Sequence, residues 1–67
     1  MKYPQIVEKA RFEAAESDEP QIVYESRLKG KVSYGYSTQD EFDRTLALGK
    51  FPMVRLLLCM PNDTIVQ

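Results

Sequence analysis

The hydrophobic residues of this chain recur with two different spacings, which predict helices in some stretches and strands in others. At about 100° per residue, one side of the first stretch carries Tyr3, Ile6, Val7, Ala10 and Ala14. This spacing favours a helix over residues 4 to 17, with Phe12 on its polar side. A strand would instead place Phe12 among the other apolar residues, so residues 5 to 16 keep a strand as the alternative.

Residues 21 to 28 and 32 to 36 are predicted to form two antiparallel strands, because both are rich in valine, isoleucine and tyrosine. The three residues between them are expected to form the loop, with Gly30 supplying a left-handed conformation. A loop of odd length would place Tyr24 on the same face of the hairpin as Tyr34.

A second helix is predicted from a capping box, in which Thr38 is the N-cap and Glu41 follows three residues later. Gly49 is expected to end this helix. Phe42 and Leu46 lie four residues apart and therefore mark its buried face.

Residues 53 to 60 form the only near-continuous apolar run and are predicted to be a strand, entered through a turn at residues 51 and 52. One face would carry Val54, Leu56, Leu58 and Met60. The other would carry Met53, Arg55, Leu57 and Cys59. Strands that are apolar on both faces are normally covered on both faces. Residues 64 to 67 could add an edge strand.

These elements predict a single small α+β domain over residues 1 to 67, in the order α-β-β-α-β. Its simplest packing is an antiparallel hairpin and a third strand, with both helices on one face of a three- or four-stranded sheet.

Composition argues against catalysis. The chain has 67 residues, nine basic and ten acidic, with no histidine and one cysteine. One cysteine excludes an internal disulfide, and the usual zinc ligand sets cannot be assembled. Cys59 lacks a histidine to act as its base. The acidic residues Asp40, Glu41 and Asp43 suit helix capping and the helix dipole. We therefore expect no enzyme, no cofactor and no metal.

The same composition bears on location and assembly. No apolar run approaches the roughly 20 residues that span a bilayer. A free thiol inside an apolar run fits a reducing compartment, so a cytoplasmic protein without membrane contact is predicted. A domain this small has a marginally stable core. With a disulfide and a zinc site excluded, oligomerisation is the remaining way for it to gain stability.

The first functional hypothesis is a small protein-binding regulator, adaptor or inhibitor that associates with another protein or with itself, as a homodimer. Its expected contact residues are Phe12, Met53, Arg55, Leu57 and Cys59, because exposed apolar patches usually mark interfaces. The structural alternative is that the N-terminal segment or the C-terminal tail covers this face of the last long strand within the chain.

The second hypothesis is a nucleic-acid-binding hairpin, which would use Arg27, Lys29, Lys31, Tyr34 and Tyr36. Residues 29 to 36 resemble the RNA-contacting strand of RRM domains in their Lys-Gly opening and final aromatic residue. Lys31 and Ser33 stand where that motif has aromatic residues. The alternative is that the tyrosines pack under a helix while the lysines guard an exposed edge.

Overall fold

Two helices and four strands make up the part of the chain that the computed structural model describes, residues 2–49 and 52–67. They are α1 (Tyr3–Ser17), β1 (Gln21–Leu28), β2 (Lys31–Ser37), α2 (Gln39–Leu48), β3 (Met53–Cys59) and β4 (Ile65–Val66). The strands form one antiparallel sheet in the order β2-β1-β3-β4. The α+β class and the element order are confirmed, and the tail supplies the fourth strand. The predicted turn at Phe51 lies partly outside the described residues.

The first helix buries a stripe of small and branched residues on the sheet. Ile6, Ala10 and Ala14 are buried, and the two alanines are fully so. They pack on three buried sheet residues, which are Val23, Leu57 and Cys59. Alanine side chains are short, so α1 lies close to the strands. Residues 5 to 16 are therefore helical, which excludes the strand alternative.

The hairpin turn has two residues rather than the predicted three. Lys29 (φ 53°) and Gly30 (φ 78°) both adopt the left-handed conformation, as in a type I′ turn. Leu28 consequently pairs directly with Lys31. The prediction failed because it allowed a left-handed conformation only at Gly30, whereas Lys29 adopts one too.

This shorter loop shifts the pairing by one residue. Tyr34 lies opposite Glu25 and Tyr36 opposite Val23. Since neighbouring residues of a strand point to opposite faces, the tyrosines share the face of Val23 and not that of Tyr24.

A β-bulge in β3 reverses the expected face of half that strand. Val23 pairs with Leu57, but its neighbour Tyr24 pairs with Arg55, so Leu56 is an extra residue in the ladder. Leu57 therefore shares the α1 face with Cys59, while Arg55 shares the opposite face with Met53. The prediction that these four residues share one face is wrong, because it assumed unbroken alternation along the strand.

The second helix lies on the other face of the sheet. Phe42 is buried and its ring lies 5.8 Å from that of Tyr24. Tyr24 points away from the α1 face, because it follows Val23 in the strand. The helices therefore lie on opposite faces, which corrects the expected packing of both on one face.

The ends of α2 form as predicted. The Glu41 N–H donates to the Thr38 hydroxyl at 3.3 Å. Gly49 has φ 65° and its N–H donates to the Leu46 carbonyl at 3.1 Å. Leu46 itself is 47% exposed, so the buried face of α2 is narrower than expected.

The ring of Tyr24 lies directly over Gly35 of the neighbouring strand. A Cβ atom at Gly35 would approach the Tyr24 Oη to 2.7 Å and Cζ to 2.9 Å. We therefore expect Gly35→Ala to lower the free energy of unfolding by about 1–3 kcal/mol, measured by urea denaturation.

Tyr24→Leu provides the matched background for that measurement. Without the ring, Gly35→Ala should be neutral or stabilising, since glycine costs a strand roughly 0.5–1 kcal/mol relative to alanine. An equal cost in both backgrounds would show that the contact is not the cause.

Candidate functional site

The residues predicted to bind a partner do not form one surface. Leu57 and Cys59 are buried beneath α1, so the N-terminal helix covers that face within the chain. Met53 is half-buried and Arg55 exposed, both on the opposite face. Phe12 lies in α1 outside its buried stripe and is 67% exposed. A partner surface made of these five residues is therefore not present in this fold.

Burial governs the chemistry of the single cysteine. Cys59 is fully buried, and its removal from water raises the pKa of the thiol. Nearby Arg11 has the opposite effect on this pKa, but it is smaller. The neutral thiol therefore packs as a small apolar side chain.

We expect the folded protein to react with a thiol reagent at pH 8 roughly 100-fold or more slowly than the urea-unfolded chain, because Cys59 reacts only when α1 opens. The rate of thiol labelling measures this directly. Equal rates in the two states would contradict the burial of Cys59.

The raised thiol pKa also gives a direction for stability against pH. The neutral Cys59 thiol stabilises the folded state fully below the pKa of the unfolded thiol, about 8.5. This stabilisation is lost as the pH rises through the higher pKa of the folded state. Urea denaturation at pH 7 and 9.5 should show wild type losing more stability than Cys59→Ala. Other groups that titrate in alkali affect both proteins equally, so the difference between the two stability losses reports on Cys59 alone.

Two of the three acidic residues predicted for the start of α2, Glu41 and Asp43, make hydrogen bonds within the helix end. The Thr38 hydroxyl donates to Glu41 Oε1 at 3.2 Å, and Gln39 Nε2 donates to Asp43 Oδ1 at 2.9 Å. Within residues 2–49 and 52–67, no three acidic or cysteine side chains converge in a way that would hold a metal ion.

Contacts within the chain occupy much of the hairpin predicted to bind nucleic acid. Arg27 pairs with Glu25 at 3.0 Å. Tyr34 packs edge-on against Tyr3 with ring centroids 5.3 Å apart, and Tyr36 also packs on the α1 core. The two lysines of the predicted set are exposed.

The backbone geometry of β2 marks a different site. A type I′ turn is closed by hydrogen bonding between its flanking residues, here Leu28 and Lys31. Hydrogen-bonded and non-hydrogen-bonded pairs alternate in an antiparallel ladder, so Arg27 and Val32 form a non-hydrogen-bonded pair. The Arg27 N–H accordingly points away from β2 and donates to the Pro52 carbonyl at 3.3 Å. The N–H and C=O of Val32 must point the opposite way, to the outer edge of the sheet.

The same alternation sends the backbone groups of Tyr34 and Tyr36 to that outer edge. No strand among the described residues pairs with β2 on this side. The outer edge of β2, called the open edge below, is seven residues long. An open edge of this kind can pair with an added strand.

A groove between α1 and β2 lies beside the open edge. It has a volume of about 460 Å³ and is lined by Glu8, Lys9, Phe12, Glu13 and Tyr36. An aromatic residue on each wall and charged residues at the rim suit a peptide side chain.

The opposite edge of the sheet consists of β4, which pairs only with Leu58 and Cys59, and of the outer side of residues 53 to 57 in β3, with which no described strand pairs. β4 has only two residues, and the turn before it is fixed by Arg11, whose Nε and Nη2 each donate to Asp63 at 2.9 Å. These bonds and the negative charges of Asp63 and Glu8 raise the pKa of Arg11. The open edge of β2, with seven residues, is therefore longer than the uncovered part of β3 on the other side of the sheet.

Comparison with protein families, with curated proteins and with solved structures found no match for this chain. Neither described helix has the length and apolar character required to cross a membrane. The candidate site consequently depends on geometry alone. In the sequence, its one signal was Lys29 in the turn and Lys31 at the start of β2, since lysines are common on edge strands.

Proposed function

We propose that this chain is a protein-binding module that docks an extended segment along the open edge of β2. The observation that carries the proposal is the outward direction of the Val32, Tyr34 and Tyr36 backbone groups. An added strand would satisfy these groups through main-chain hydrogen bonds, while the neighbouring groove accepts its side chains.

The proposed role is binding rather than catalysis, as expected of a small regulator, adaptor or inhibitor. Buried Cys59 supports a cytoplasmic location, because a free thiol persists in a reducing compartment. The proposed contact surface is the open edge of β2, and no longer the apolar face of β3 that was expected from the sequence.

Nucleic-acid binding by the hairpin is supported less well. Stacking on bases requires free aromatic faces, and Tyr34 already packs against Tyr3. Arg27, the third basic residue of the predicted set, is paired with Glu25. Lys29 and Lys31 alone would provide a weak electrostatic site on a chain of net charge -1.

The proposal is tested by selecting extended decapeptides from a displayed library on the immobilised protein at low concentration. We expect selected peptides to bind the wild type at least about tenfold more tightly than Val32→Pro. Proline at this outward-facing position removes an edge donor while leaving the ladder to β1 intact. Fluorescence anisotropy of a labelled peptide measures the affinities.

Val32→Thr is the matched control, because it keeps the N–H and the β-branched shape, and it should bind like the wild type. Bound peptide should also slow amide hydrogen exchange at Val32, Tyr34 and Tyr36. Selected peptides that bind Val32→Pro as well as the wild type would contradict docking at this edge.

A further inference from the structure

We infer that the open edge of β2 is filled by β2 of a second copy of this chain, in an antiparallel pair centred on Tyr34. This inference rests on the proposed docking role of β2 and names its occupant. The dimer would carry one continuous sheet of eight strands, twice the four of the single chain.

The length of β2 sets the register of this pair. The strand runs Lys31–Ser37, and Tyr34 is its central residue. A two-fold axis through Tyr34 places Lys31 of one copy opposite Ser37 of the other. All three outward-facing residues then pair at once, which gives about six interchain hydrogen bonds. An axis through either neighbouring residue would leave one of the three without a partner in β2.

This register also pairs apolar side chains that the single chain leaves exposed. Val32 is 47% exposed and would lie opposite Tyr36 of the second copy. A β-branched residue opposite an aromatic residue is a favourable cross-strand pair. Tyr36 forms one wall of the groove beside the edge, so Val32 of the second copy would lie next to that groove.

The charges are complementary in the same register. Lys31 is exposed and would lie beside Ser37 of the second copy, where the chain enters α2. The first turn of α2 carries exposed Asp40 and Glu41. Symmetry brings this lysine and these carboxylates together twice. The net charge of -1 per chain offers little repulsion against such a dimer.

The first experiment measures molar mass by sedimentation equilibrium over a range of protein concentrations. We expect a monomer–dimer equilibrium for the wild type, and a dissociation constant at least about tenfold higher for Val32→Lys, since lysine on an edge strand opposes pairing. Val54→Lys is the matched control and should dimerise like the wild type. Val54 is a 58% exposed valine on the same face, but it lies in β3, which β1 separates from β2.

The second experiment tests the register by disulfide formation in a Cys59→Ala background. A mixture of Lys31→Cys and Ser37→Cys chains should form a cross-linked dimer, because these residues would be directly opposite. Lys31→Cys alone should cross-link slowly, since its two copies would lie at opposite ends of the paired strands. Faster cross-linking of Lys31→Cys with itself would overturn the register.

The outcomes separate this inference from the proposed function. If the wild type stays monomeric yet binds selected peptides at the open edge, the inference of a dimer is overturned and the proposed function stands. A monomer that binds no edge peptide overturns both. A dimer that Val32→Lys leaves unchanged overturns pairing through β2, whatever other surface forms it.

Discussion

The opposite directions of two adjacent buried residues, Ile22 and Val23, are the constraint on which the rest of the structure depends. Both are fully buried, although neighbours in a strand point to opposite faces. Val23 is covered by α1, and Ile22 lies on the face that α2 approaches through Phe42. β1 is therefore an inner strand with a helix on each face, and β2 lies beside it at the edge of the sheet.

Strong local signals allowed parts of the fold to be predicted from the sequence. Thr38 and Glu41 define the start of α2, and Gly49 defines its end. Each of these signals works through hydrogen bonds to residues three positions away in the chain. The apolar stripe of α1 was also predictable, because Ala10 and Ala14 recur at helical spacing.

The faces of β3 could not be predicted in this way. Its residues are apolar on both sides of Arg55, so the alternation that would reveal the bulge at Leu56 is hidden. The turn failed for a related reason, since Lys29 adopts a left-handed conformation that its residue type does not signal. The candidate site was missed through the error in the turn, because the outward direction of the Val32 backbone groups depends on the turn length rather than on the side chain.

The ion pair between Arg11 and Asp63 joins residues 52 positions apart. Core partners of α1 are almost as distant along the chain, since Leu57 and Cys59 belong to β3. During synthesis, α1 is therefore made long before β3, the strand that it covers. Until β3 is available, the apolar stripe of α1 is exposed to solvent. Contacts of such long range cost loop entropy before they stabilise anything, so this chain should fold more slowly than a helical protein of equal size.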